Sequence, residues 1–182
     1  MPPFYTAEGD TGETGYLGSG KISKTSLRIE ALGCVDEANA AIGLARALSA
    51  DEKTRTILIE VQKQLYFLMT DISASVEVAD KFDKLDQGHL LWLEEQIAAL
   101  ESTVDLPREF ILPGGSPASG ALDLARAIVR RAERRVVAML EENLIEKRLL
   151  VGYLNRLSSL LFILEVYADV STGHTLQITK EA

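Results

Sequence analysis

The chain has almost no cysteine, few histidines and a shortage of positive charge. Cys34 stands alone among 182 residues, which excludes an intramolecular disulfide or a Cys-rich zinc site and fits a reducing, cytoplasmic setting. His89 and His174 are the only histidines. Neither follows a Glu by three residues, so the paired Glu-x-x-His of a di-iron carboxylate bundle is missing. So few histidines also suggest no Ser-His-Asp or Cys-His nucleophile. The net charge of -8 argues against the broad basic surface that nucleic acid requires. No run reaches the roughly 18 consecutive apolar residues of a membrane span. The N-terminus has no apolar stretch of signal-peptide length, so a soluble protein with one domain over residues 1–182 is expected.

Helical periodicity fills most of the remainder. Ile29, Leu32, Val35, Ala38, Ile42, Ala45 and Leu48 recur every three or four residues and predict one amphipathic helix. Ser49 and Glu52 have the spacing of a capping box, followed by a second stripe at Ile57, Val61, Leu65, Leu68, Ile72 and Val76. A shorter stripe uses Leu90, Leu93, Ile97 and Leu100, and "EVADKFDKLDQ" before it predicts a connection with about a turn of helix. Pro113-Gly114-Gly115 signals a turn, and Ser116-Pro117 supplies an N-cap and an N1 proline for a fourth helix. Its stripe is Leu122, Ala125, Val129, Ala132, Val136 and Met139; a fifth uses Leu150, Tyr153, Leu157, Leu160, Leu164 and Tyr167. Only the tail "HTLQIT" has strand-like alternation. The expectation is an all-α, mostly antiparallel five-helix bundle over residues 25–170, with a Gly-rich N-terminal loop over 1–24 and a tail over 171–182.

Two segments carry candidate chemistry. "GETGYLGSGKISK" resembles a Walker A loop at Gly15, Gly20 and Lys21, but Ile22 stands where magnesium needs a hydroxyl, and no buried strand precedes it. "ARAIVRRAERR" concentrates positive charge in an otherwise acidic chain, with Arg126, Arg130, Glu133 and Arg134 along one face. Guanidinium groups suit phosphate oxygens, yet the same face could be solvated and paired within the helix. Asp36 adjoins the buried stripe of the first helix and needs a basic partner there, unless it is simply a surface carboxylate. Asn155 is a polar residue in a strongly apolar helix, either a ligand contact or a satisfied core amide, and Phe110 reads as core by default.

Three stretches in combination resemble the PduO-type ATP:cob(I)alamin adenosyltransferases: "YTAEGDTGETGYLGSGKISKTSLRIEALGCVDEANAAIGLA", "FILPGGSPASGALDLARAIVRRAER" and "YLNRLSSLLFILE". The resemblance implies a cobalamin adenosyltransferase-like five-helix bundle forming a homotrimer, with ATP between the N-terminal loop of one subunit and the fourth helix of the next. Lys24 is then a phosphate contact, with Thr6, Gly9, Thr14 and Gly15 giving hydroxyl and backbone contacts. Arg130, Arg131, Glu133 and Arg134 would also serve ATP, Arg126 would pair with Asp36 across the interface, and Asn155 would touch nucleotide or magnesium. Phe110 would pack below the corrin ring and displace the lower axial base.

The implied reaction moves the 5'-deoxyadenosyl group of ATP to the cobalt of cob(I)alamin, reached by reduction of cob(II)alamin, and releases triphosphate. Mg2+ accompanies ATP, no resident metal is implied, and a cobalamin reductase and an adenosylcobalamin-dependent enzyme are the implied partners. The chain departs from the family pattern at Ala7, Glu8, Asp123 and Ser159. Glu8 is repulsive near a triphosphate unless it points away, which keeps open a non-catalytic sensor or delivery protein of the same fold.

Overall fold

A computed structural model describes residues 5 and 7–179. The chain is mostly helical: α1 Leu27–Leu48, α2 Glu52–Ser73, α3 Gln87–Glu101, α4 Pro117–Glu141 and α5 Leu149–Ser171. The N-terminal segment contains a 3-10 turn, Glu8–Thr11, and a small hairpin of β1 (Glu13–Gly15) and β2 (Lys21–Ser23), with Thr14 opposite Ile22. A second 3-10 turn, Val76–Lys81, lies where a short helical connection was expected between α2 and α3.

The long helices bury most of the expected apolar stripes, but Leu48 at the end of α1 is exposed, and Val76, expected to end the second stripe, lies beyond α2 in the 3-10 turn and is exposed because the helix stops at Ser73. Ala31, Val35, Ala38, Ile42 and Ala45 of α1 and Ala121, Ala125, Val129, Ala132 and Val136 of α4 are all buried in the core, and α1 and α4 make the most extensive helix contact in the fold. Glu37 pairs with Arg131 and Glu30 with Arg135, so α1 and α4 run in opposite directions. Arg156 of α5 reaches Glu94 of α3, while Gly152 sits beside Leu90, so α3 and α5 run the same way. By length and composition α5 could cross a bilayer, but most of that stretch is packed inside the protein. Leu150, Tyr153, Leu157, Leu160 and Leu164 are fully buried, as befits a core helix.

The α1–α2 corner differs from the expected capping box. Ser49 ends α1, its hydroxyl donating to the Ala45 carbonyl at 2.7 Å, and Asp51 caps α2 by accepting from the Thr54 N–H at 2.7 Å. A carboxylate at the N-cap also opposes the positive end of the helix dipole, which a serine hydroxyl does less well. The α4 entry follows expectation: Ser116 accepts from Ser119 N–H, and Pro117 is the first helical residue. The tail makes one antiparallel bridge, Ile111 with Ile178, and Thr179 N–H donates to the Phe110 carbonyl at 2.8 Å.

Candidate active site

The N-terminal hairpin is fastened to the end of α2. Leu17 N–H donates to Ser73 and its carbonyl accepts from Ser75 N–H, at 2.9 and 2.7 Å. Lys24 folds back so that its Nζ donates to the Gly9 carbonyl at 2.7 Å. A Cβ on Gly9 would lie 2.9 Å from that ammonium, so a side chain there would oblige the lysine head to shift. Glu8 is countered by Lys21 at 3.6 Å. The Thr14 hydroxyl contacts the Gly15 carbonyl at 3.4 Å, and Gly15 is exposed. Thr6 lies outside the described residues. Lys24 and Gly9 are thus held together within the N-terminal segment, with the Gly9 carbonyl as acceptor, and Thr14 lies on β1 of the same segment.

The arginines of α4 divide by partner. Arg126 grips Asp123 through Nε at 2.8 Å and a terminal nitrogen at 2.6 Å. Arg131 is drawn to Glu37 of α1, a pairing that raises its pKa, and Arg135 lies 3.7 Å from Glu30. Arg130 is exposed, and its guanidinium has no hydrogen bond or ion pair among the described residues; Arg134 donates only to the Arg130 carbonyl, at 3.0 Å. Two cations therefore remain without carboxylate partners on this face. Glu133 accepts from Asn155 Nδ2 at 3.1 Å, while Asn155 Oδ1 accepts from Arg156 at 2.9 Å, so the amide is oriented from both sides.

Arg126, Arg130, Ser158, Ser159 and Phe162 line a cleft of about 300 Å³ between α4 and α5. It adjoins a second hollow of about 320 Å³ with Phe110, Pro113, Asp123 and Glu165, and Arg126 and Phe162 belong to both. Phe110 is 86 % exposed, an unusual state for a large aromatic, and its carbonyl is held by Thr179. Gly114 adopts φ 101°, and a Cβ on Gly115 would collide with the Asp169 carboxylate, so the Pro113-Gly114-Gly115 turn needs both glycines. Asp36 is exposed and makes no ion pair among the described residues; Arg126 has Asp123 instead within its own chain. No hydrogen bond or ion pair among the described residues links Gly9–Lys24 to α4. Within one chain the structure does not bring the two halves of the expected nucleotide site together.

The comparisons place this geometry among known proteins. Residues 4–168 match the family model of cobalamin adenosyltransferase. The corrinoid adenosyltransferase of Bacillus subtilis (strain 168) is 41 % identical over 174 residues, covering 93 % of this chain and 88 % of that protein. The chain belongs to the cobalamin adenosyltransferase family. A further family relative, the corrinoid adenosyltransferase PduO of Salmonella typhimurium, is 36 % identical over 98 % of this chain, which spans about half (53 %) of that protein's length. A variant of the PduO-type ATP:corrinoid adenosyltransferase from Lactobacillus reuteri, solved with cobalamin and ATP, superimposes with a TM-score of 0.87 at 30 % identity, covering 98 % of this chain and all of that one.

Against this family background one residue stands out that periodicity did not single out. Glu165 is 1 % exposed, lines the Phe110 hollow, and neither carboxyl oxygen has a hydrogen-bond partner. Its only sequence signal was a lone acid in the apolar stretch "LLFILEVYA", the same kind of signal that marked Asn155. Burial, with Asp123 and Asp169 nearby and Arg126 opposing, raises its pKa from 4.5 to about 7. Between those values the native state holds a proton that the unfolded chain has released, so this contribution is complete below pH 4.5 and lost as pH rises through about 7. Wild type should therefore lose melting temperature relative to Glu165→Gln between pH 5 and pH 8. Parallel melting curves across that range would refute the assignment.

Proposed function

We propose that the protein transfers the 5'-deoxyadenosyl group of ATP to the cobalt of cob(I)alamin, forming adenosylcobalamin and releasing triphosphate. The observation that carries this is the Arg130 guanidinium, unpaired among the described residues, in a cleft that shares Arg126 and Phe162 with the hollow at exposed Phe110, in a chain of this family. The five-helix bundle acts as a homotrimer, in which the N-terminal loop of one subunit meets α4 of the next. That arrangement supplies what one chain lacks, a partner for the distant Lys24 cluster and for unpaired Asp36, whose counterpart across the interface is Arg126.

The substrate corrinoid is the nucleophile, so the protein need not provide one. The cobalt(I) electron pair forms the bond to C5', the C5'–O bond breaks, and its electron pair leaves on triphosphate. Lys24 and Arg130 neutralise the charge on that leaving group, with hydroxyl and backbone contacts from Thr6, Gly9, Thr14 and Gly15. Arg134, Glu133 and Asn155 orient the nucleotide, and Arg131, fixed by Glu37, supports α4 beside it. Magnesium arrives with ATP. Phe110 packs below the corrin ring in place of the lower axial base, favouring reduction of cob(II)alamin by a reductase in the cytoplasm. An adenosylcobalamin-dependent enzyme takes the product.

Anaerobic incubation with ATP, magnesium and chemically reduced cob(I)alamin should give the absorbance of the cobalt–carbon product; an unchanged spectrum with bound ATP would move the reading to a sensor or delivery protein. In the same assay Phe110→Ala should retain most cob(I)alamin alkylation and lose about tenfold or more of the reaction that starts from cob(II)alamin. Equal losses in both would count against base displacement.

A further inference from the structure

We propose that Glu165 is a specificity-determining residue that hydrogen-bonds a primary carboxamide on the rim of the corrinoid and selects amidated rings over their free acids. This rests on the reading of the Phe110 hollow as the corrinoid site. A carboxyl that is fully removed from water and has no partner on either oxygen is costly, and such groups are rare in folded proteins. Glu165 lines a hollow wide enough for a ligand substituent, about 320 Å³, rather than facing packed side chains alone.

The surroundings define what that substituent can be. Asp123 on α4 lines the same hollow but is engaged by Arg126, and Asp169 on α5, close enough to help raise the Glu165 pKa, lies outside the lining. Arg126 is the one cation among the groups acting on Glu165, and it is already bound to Asp123. At the mouth of the hollow Arg108 and Glu109 offset one another in charge. With Asp123 paired to Arg126 and Arg108 offset by Glu109, Glu165 is the buried carboxyl of the lining that has no partner among the described residues. A primary carboxamide suits it, because its N–H donates to the Glu165 carbonyl oxygen while its own carbonyl accepts from the Glu165 hydroxyl in the neutral acid form. A free carboxylate at the same ring position has no N–H to offer the second Glu165 oxygen and must give up its hydration beside it, which disfavours the acid. Corrinoid rings carry side chains that are primary carboxamides or, before amidation, carboxylates, so the class of ligand that fits is the amidated ring.

The test uses full-length protein with ATP and two probes that both lack a lower base: cobinamide, whose ring side chains are amides, and cobyrinic acid, whose side chains are carboxylates. Wild type should favour cobinamide in kcat/KM by about tenfold or more. Glu165→Ala should raise KM for cobinamide about tenfold, leave KM for ATP unchanged and erase the preference. Glu165→Gln, which keeps the shape and a carbonyl acceptor, should hold the cobinamide KM near wild type while accepting the acid more readily. Because the glutamine variant is isosteric, it keeps the test sharp if the alanine variant does not fold. Equal use of both probes by wild type, or cobinamide KM values within twofold of wild type in the alanine variant, would overturn the assignment while leaving the adenosyl-transfer reading intact. Failure of wild type to use either probe or cobalamin would overturn that reading and this one together.

Discussion

Arg130→Ala should lower adenosylcobalamin formation by about 100- to 1000-fold, with little change in melting temperature. The separation of effects follows from where the side chain is. Arg130 is exposed, donates to no other described residue and lies off the buried stripe formed by Val129 and Ala132, so its removal costs the fold little. Its guanidinium is one of two on α4 without a carboxylate partner, whereas Arg126, Arg131 and Arg135 are held by Asp123, Glu37 and Glu30. In the proposed site, charge developing on a departing triphosphate would be met here by a donor that no carboxylate pairs with among the described residues. Arg130→Lys should recover only part of the rate, since an ammonium cannot make the forked contact. Wild-type turnover in Arg130→Ala would remove this residue from the site.

Arg28→Ala should cost about 3 kcal/mol or more of stability and lower the melting temperature by roughly 10 °C. Arg28 is 7 % exposed and donates to the carbonyls of Ile72, Ala74 and Leu144, the last at 2.6 Å. Ile72 and Ala74 lie at the C-terminal end of α2, where carbonyls have no intrahelical partner and the dipole is negative. Leu144 lies in the joint between α4 and α5. One guanidinium thus ties three elements at one end of the bundle, and its carbon lies 5.9 Å from the centre of the Tyr16 ring beside the hairpin. Truncation leaves three carbonyls in a buried setting and loosens the anchor that places Lys24 and Gly9. A variant melting within about 2 °C of wild type would mean that water satisfies those carbonyls readily.

Much of the helical pattern was legible because burial on a helix repeats every three to four residues. The α4 stripe from Leu122 to Met139 is buried at every expected position, and the Ser116-Pro117 start is where composition put it. Ser49 was misplaced because its spacing from Glu52 fits a capping box equally well, and only the three-residue corner shows that Asp51 takes that role. The hairpin escaped because strands of three residues have too few alternations to register. Arg126 and Arg130 look alike in sequence; their difference depends on Asp123, a residue three positions away that any helix face could have left solvated. Glu165 lay within an apolar run, and its missing partners are a property of how α4, α5 and the Phe110 segment meet.

The most direct test of the account is to measure adenosylcobalamin formed by a refolded mixture of Lys24→Ala and Arg130→Ala chains. Each variant alone should be nearly inactive. If the active site combines the loop of one subunit with α4 of the next, one subunit pairing in four carries both intact halves, and the mixture should regain about a quarter of wild-type activity. A mixture no more active than its components would contradict a site shared between chains.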